Sequence, residues 1–235
     1  MITSKKQFDS IINSAEHQIG LYPLDNESLH DLGFIFEFGL VENDISIVEI
    51  DYEQSFHWYE QAMKKGNIDA TLRIADFMSE GIGCKKNIEK AIVLYSICID
   101  KELSIAANNL ATIYRDMKDY VEAFKYYKLA NDLMSKEYGI DTYSLNVAMC
   151  YLYGIGVEQD IDTAVEQIKK LVEPNNNYSC QSDIDEANYL LGLLYLQGKG
   201  VTKDLDKARY HLLNADLEAD HPSSQALLLL IGRTN

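Results

Sequence analysis

The chain has 235 residues, of which 47% are hydrophobic, so it is long enough to bury a sizeable core. Its 37 acidic and 21 basic residues give a net charge of −16, which disfavours nucleic acid and anionic membranes as partners and favours a basic protein. Residues 1–60 hold twelve acids against two lysines, so the first quarter carries most of the excess negative charge.

The first predicted element is an amphipathic helix. Apolar residues recur at helical spacing between Ser4 and Ile19, and Gly20 and Pro23 follow as a stop signal. We expect residues 1–22 to form an N-terminal capping helix.

From Ser28 onward the chain repeats itself, in a register counted from an anchor residue. The five anchors are Ser28, Ala70, Ala106, Tyr143 and Ala187. An apolar residue stands four places after each anchor, a small residue five places after it and a large residue eight places after it. Because a small residue lets a second helix approach closely, this register predicts first helices packed against second helices as hairpins.

Three copies continue with a Gly-x-Gly turn. The turns are Gly81–Gly83, Gly154–Gly156 and Gly198–Gly200, followed by Asn87, Asp160 and Asp204 respectively. The glycines predict helix ends with positive φ, and the Asn or Asp is placed to cap the second helix. A phosphate-binding loop is disfavoured because no strand precedes the glycines and no Gly-Lys-Ser/Thr follows them.

The second helices share a register of their own. Their anchors are Ser55, Ala91, Ala123, Ala164 and Ala208, each with a large residue four places later. Five helix pairs are therefore predicted, over residues 28–69, 70–105, 106–142, 143–186 and 187–222. Residues 223–235 begin an unpaired sixth first helix, and we expect residues 1–235 to form a single solenoid domain.

The copy that starts at Ala187 carries the fullest motif. Its residues are Leu191-Gly192, Tyr195, Gly198-Lys199-Gly200-Val201, Asp204 and Lys207-Ala208. This pattern resembles the SEL-like repeat family, which is related to the tetratricopeptide repeats but has a longer turn with glycines. The resemblance covers about residues 28–232. It implies an all-α, right-handed α-α superhelical solenoid of about five helix-turn-helix repeats, with a capping helix and a C-terminal half-repeat, that acts as a protein-binding scaffold.

Three segments depart from the repeat pattern. The Ala106 copy lacks the glycine turn and runs through residues 115–120, as in a plain tetratricopeptide repeat. The first copy has a longer acidic insert from Gly39 to Asp51 instead. A polar loop from Pro174 to Ser182 separates the last two copies.

The sequence offers no supported active site. Its five histidines are scattered, its carboxylate pairs occur at the frequency expected by chance, and no His/Cys cluster has the spacing of metal ligands. We therefore expect no enzyme activity, no metal and no cofactor. An enzyme remains a minor alternative.

The location is predicted from the missing targeting signals and the cysteines. No segment reads as a secretory signal or a membrane span. The cysteines form no C-x-x-C pair, which predicts reduced thiols, most of them in the core, in a cytoplasmic protein.

The candidate binding surface follows by analogy with the concave face of tetratricopeptide repeats. The analogous residues include Glu37, Asp69, Leu72 and Asp76 in the N-terminal half, and Leu145, Met149, Leu152, Tyr189, Leu193 and Leu196 in the C-terminal half. The groove is predicted to be acidic at one end and apolar at the other, and to bind a basic or amphipathic segment of another protein. Burial of these leucines against each other or under the Asn-rich polar loop is the alternative.

Two further hypotheses concern the ends of the chain. Leu227–Ile231 is apolar on all sides, so Leu227, Leu229 and Leu230 are candidates for self-association as a homodimer. The acidic first quarter suggests, as an alternative function, an immunity or inhibitor protein that neutralises a basic toxin or enzyme.

Overall fold

The computed structural model describes residues 4–17, 24–139, 144–173, 180–217 and 220–232. Its helices are α1 (Lys5–His17), α2 (Asn26–Phe38), α3 (Tyr52–Lys64), α4 (Ile68–Glu80), α5 (Ile88–Ile99), α6 (Ser104–Asp116), α7 (Tyr120–Tyr138), α8 (Leu145–Tyr153), α9 (Ile161–Leu171), α10 (Gln181–Gln197), α11 (Leu205–Asn214) and α12 (Pro222–Gly232). Two short strands, β1 (Leu40–Glu42) and β2 (Ile45–Val48), lie between α2 and α3. The chain forms two compact units, Met1–Ile113 and Tyr114–Asn235.

The predicted all-α repeat class is confirmed. In the first unit α2 packs on α3 and α4 packs on α5, and in the second unit α8 packs on α9 and α10 packs on α11. Each unit has its own apolar core, built from the inward faces of these hairpins. The single-domain assignment stays a prediction. The anchor Tyr143, the stop signal at residues 20–23 and residues 174–179 of the polar loop lie outside the described residues.

The small residue five places after the anchor is the point of closest helix approach. A Cβ atom added at Gly33 would lie 2.6 Å from the ring of Tyr59, and one added at Gly192 would lie 2.6 Å from Cγ of Leu212. Real Cβ atoms essentially never approach another atom so closely. These two helix pairs therefore pack at a separation that only glycine permits.

The predicted turn and cap roles are also confirmed. Gly154 ends α8 with φ 69°, and its N–H donates to the carbonyl oxygen of Cys150. Asp160 then begins α9, because its side chain accepts the N–H of Thr163 at 3.0 Å. The corresponding caps at the other two glycine turns are Asn87 and Asp204.

The second glycine of the turn has a role that the sequence did not predict. A Cβ atom at Gly156 would lie 1.8 Å from the carbonyl oxygen of Tyr120, at the start of α7. A Cβ atom at Gly83 would lie 2.0 Å from that of Tyr52, at the start of α3. The turn of one repeat therefore rests directly on the backbone of the repeat before it.

The acidic insert of the first copy forms a β-hairpin, which the sequence analysis did not predict. Strands β1 and β2 pair in antiparallel register through Leu40 and Val48, both of which are buried. The two turn residues, Asn43 and Asp44, have φ values of 52° and 63°. Positive φ at both places matches the right-handed twist of a hairpin, and Asn and Asp tolerate it best after glycine.

We predict that Gly156→Ala destabilises the second unit much more than Gly139→Ala does. Both glycines have positive φ, 71° and 67°, so both substitutions cost about 1–2 kcal/mol through the backbone conformation. At Gly139 a Cβ atom meets nothing within 4 Å, whereas at Gly156 it collides with the Tyr120 carbonyl oxygen. Urea unfolding of both variants measures the difference. Equal losses of unfolding free energy would contradict the proposed contact.

Candidate protein-binding surfaces

The predicted acidic residues of the first unit are engaged in an internal polar network. The Tyr59 hydroxyl donates to Glu37 at 2.9 Å, and the Arg73 guanidinium forms an ion pair with the same carboxylate. Arg73 also donates to Asp76 at 2.7 Å. Because Arg73 joins helices α2 and α4 through Glu37, the network links the first two repeats.

Asp76 has two further donors. The Tyr95 hydroxyl donates to it at 2.7 Å and the side-chain amide of Asn109 at 3.0 Å. Burial raises the pKa of Tyr95, and the nearby Asp76 carboxylate raises it further, so this phenol stays protonated as a donor. The pKa of Tyr59 is raised in the same way, by burial and then by Glu37.

The open acidic groove predicted for this unit is therefore corrected. Glu37 and Leu72 are buried, and Asp76 is mostly covered by its donors. Of the four predicted binding residues in this unit, only Asp69 is exposed. Any role of these four residues in binding stays a prediction.

The apolar stripe predicted for the second unit is narrower than expected. Leu145 and Leu152 are buried in the core with Leu190 and Leu194, so they are not open to a partner. The burial of Leu145 and Leu152 therefore agrees with the alternative interpretation, in which the leucines of this half pack against each other. The other four, Met149, Tyr189, Leu193 and Leu196, are partly exposed, and Met149 and Leu196 pack against the core.

Three residues that the sequence analysis did not select lie beside this stripe. Tyr153 is half-exposed, and its pKa is raised by partial burial and by the neighbouring Glu186 and Tyr189. The ring of His221 lies 4.9 Å from that of Tyr189, and its Nε2 lies 3.6 Å from a Glu186 oxygen. We call Tyr153, Glu186, Tyr189, Leu193 and His221 the tyrosine patch.

The last helix places its leucines unequally. Leu227 is partly exposed, whereas Leu229 and Leu230 are mostly exposed.

The cysteines also differ in their exposure to solvent. Cys98 is buried, which raises the pKa of its thiol to about 11, but Cys180 is exposed, contrary to the expectation of a core residue.

An open cavity of about 660 Å³ lies beside Val157–Asp162, and its Asp160 is engaged as the cap of α9. No group of three or more His, Cys, Asp or Glu in the described ranges is placed to hold a metal ion. Among the described helices, none has the length and apolar character needed to cross a membrane.

Comparison with known families agrees with the repeat register. The family profile described as Sel1 repeat matches residues 26–67, 68–97, 104–133, 144–166 and 185–215. The chain belongs to the Sel1 repeat family. Sel1 repeats typically act as protein–protein interaction modules, so the family supports a binding role in general terms.

Two solved structures show the same fold. A Sel1 repeat protein from Oxalobacter formigenes is 19% identical, with a TM-score of 0.68, over 93% of this chain and 82% of that one. A protective antigen of uropathogenic Escherichia coli with an SLR fold is 21% identical, with a TM-score of 0.58, over 94% of this chain. The chain spans 50% of that antigen's length. No curated protein matches the chain.

We predict that Glu37→Gln lowers the unfolding free energy by about 1–3 kcal/mol, because it leaves Arg73 with one carboxylate in a half-buried setting. Asp69→Asn is the matched control, because Asp69 is exposed and should change stability by less than about 0.5 kcal/mol. Urea unfolding followed by circular dichroism measures both. A Glu37→Gln variant as stable as the control would contradict the network.

Proposed function

We propose that the chain is a non-enzymatic scaffold that binds a segment of a partner protein on the tyrosine patch of the second unit. The observation that carries the proposal is the cluster in which the His221 ring lies 4.9 Å from the ring of Tyr189 and its Nε2 lies 3.6 Å from a Glu186 oxygen. A cytoplasmic setting is part of the proposal, and the free thiols of the four cysteines support it.

The side chains of the patch indicate the chemistry of the partner. Glu186, Tyr189 and Leu193 are spaced three and four residues apart along α10, so they share one face of that helix. Tyrosine rings give a large contact area and attract a cation placed over their faces. The partly exposed Glu186 carboxylate on the same helix face as Tyr189 favours a lysine or arginine, and Leu193 favours an apolar residue about one helical turn away.

A second candidate function uses the hairpin insert of the first unit. Asp44 and Glu49 are exposed there, in the same segment as the exposed apolar residues Val41 and Ile45, and the exposed Glu53 follows in the first turn of α3. A surface that combines apolar side chains with carboxylates suits a basic protein, and this favours the inhibitor function suggested by the acidic first quarter.

We predict that selection of a random displayed-peptide library on the wild-type chain enriches peptides in which a basic residue precedes an apolar one. Leu193→Glu should weaken the binding of these peptides at least about tenfold, because it places a charge in the apolar contact. Val121→Glu is the control, because Val121 is an exposed apolar residue of the same unit outside the patch. Fluorescence anisotropy of the synthesised peptides measures affinity.

The same peptides discriminate between the two candidate functions. Peptides bound at the tyrosine patch should keep most of their affinity at high salt, because apolar contact supplies much of it. A ligand of the acidic hairpin should lose association rate steeply with ionic strength and be insensitive to Leu193→Glu. Failure to enrich any peptide that depends on Leu193 would contradict the main proposal.

A further inference from the structure

Helix α2 exposes a pair of aromatic rings near its C-terminal end. The ring centroids of Phe34 and Phe38 lie 4.6 Å apart, and Phe38 is 58% exposed. The next two repeats carry polar residues at the corresponding places, Asp76 and Glu80 in one and Thr112 and Asp116 in the other. The packing of the repeat therefore does not require the aromatic pair, and an exposed pair of this size points to contact with another molecule.

The acidic insert adds a third apolar side chain beside this pair. The N–H of Asp51 donates to the carbonyl oxygen of Phe36 at 2.8 Å, which holds the end of the insert against α2. Ile50 is 55% exposed, and its Cγ1 lies 3.7 Å from the place of a Cβ atom on Gly39, the residue after Phe38. We call Phe34, Phe38 and Ile50 the α2 face.

The charges around the α2 face indicate what can bind there. Residues 1–113 carry eighteen acids and nine bases, a net charge of −9, and residues 7–63 contain twelve acids and no lysine or arginine. The exposed Glu49 precedes Ile50, and the partly exposed Asp31 lies three places before Phe34 on α2. A basic partner is therefore attracted to this face, whereas a second copy of the acidic chain is repelled.

The bases closest to the face in the fold do not cancel this charge. Arg73 is held by two carboxylates, those of Glu37 and Asp76. The backbone N–H of Lys5 donates to Glu42 at 3.1 Å, which places Lys5 at the turn end of the hairpin. The α2 face lies at the opposite end, where the insert leaves α2 and returns to α3.

We propose that the α2 face binds a basic amphipathic helix of a partner protein. Phe34 and Phe38 lie one helical turn apart, about 6 Å along the axis of α2, and an amphipathic helix presents its apolar side chains at the same spacing. Its lysines or arginines then face Asp31 and Glu49. The inference rests on the second candidate function, which it deepens by naming the partner segment, and it does not use the tyrosine patch.

The probe is a labelled synthetic helix of about 18 residues with leucines on one face and lysines on the other. Fluorescence anisotropy with the full chain should show saturable binding. The double substitution Phe34→Ala with Phe38→Ala should weaken it at least about tenfold, because it removes apolar contact without changing charge. The matched control is Val93→Ala with Ile97→Ala, two exposed apolar residues one turn apart on α5 of the same unit, which should leave the affinity unchanged.

A second pair of variants tests the charge. Asp31→Asn with Glu49→Gln should weaken binding of the lysine probe at least about threefold, and more at low salt than at high salt. Glu89→Gln with Asp100→Asn is the control, because it removes the same number of carboxylates at exposed places of α5 and its C-cap. The same probe with glutamates in place of the lysines should not bind.

The outcome is separate from that of the tyrosine patch, because Leu193→Glu should leave binding of the lysine probe unchanged. Circular dichroism checks that each variant keeps its helical content. Absence of binding to the wild-type chain would overturn the proposal. So would full affinity in a folded Phe34→Ala/Phe38→Ala variant, equal binding of the glutamate probe, or a loss that follows Leu193→Glu alone.

Discussion

The close approach of two helices at a small residue is the constraint on which the repeat depends. At Gly33 and Gly192 the second helix lies so near that any side chain would collide with Tyr59 or Leu212. Packing at this distance fixes the rotation of each helix about its axis, because only the face of the first helix that carries the small residue leaves room for the second helix. Once that rotation is set, every other place in the repeat acquires a fixed environment.

The fixed environment explains why the exceptions in the repeat are informative. A residue seven places after the anchor is at most 9% exposed in each of the five complete copies. The places five and nine after the second-helix anchor are polar in the first four copies, whereas the fifth copy has Leu213 and Leu217 there, which are 53% and 73% exposed. The tyrosine patch differs, because it combines residues of α8, α10 and the segment before α12.

Features set by nearby residues were predictable from the sequence. The glycine turns and the caps Asn87, Asp160 and Asp204 each depend on contacts within a few residues, so their residue types alone identify them. The β-hairpin had a signal of this kind in Asn43 and Asp44, between segments rich in valine and isoleucine. It was missed because the repeat register predicts a turn at that point and nothing more.

Features set by contacts between repeats were not predictable. Glu37 and Arg73 are 36 residues apart, and no local pattern shows that they form an ion pair instead of facing a partner. The burial of Leu145 and Leu152 depends on how closely successive repeats stack, which analogy with the tetratricopeptide repeats does not specify. The contact of Gly156 with the Tyr120 carbonyl oxygen is of the same type, since it joins two repeats through the backbone.

The central claim is that the small residue of the first helix and the large side chain of the second helix together fix how the two helices of a repeat pack. A double-mutant cycle at Gly192 and Leu212 tests this claim most directly. Gly192→Ala should destabilise the chain by collision, and Leu212→Ala should cost about 2–5 kcal/mol by leaving a cavity. In the double variant the added methyl group occupies the space that Leu212 vacates. The account predicts a total loss at least about 1 kcal/mol smaller than the sum of the two single losses, whereas strictly additive losses would contradict it.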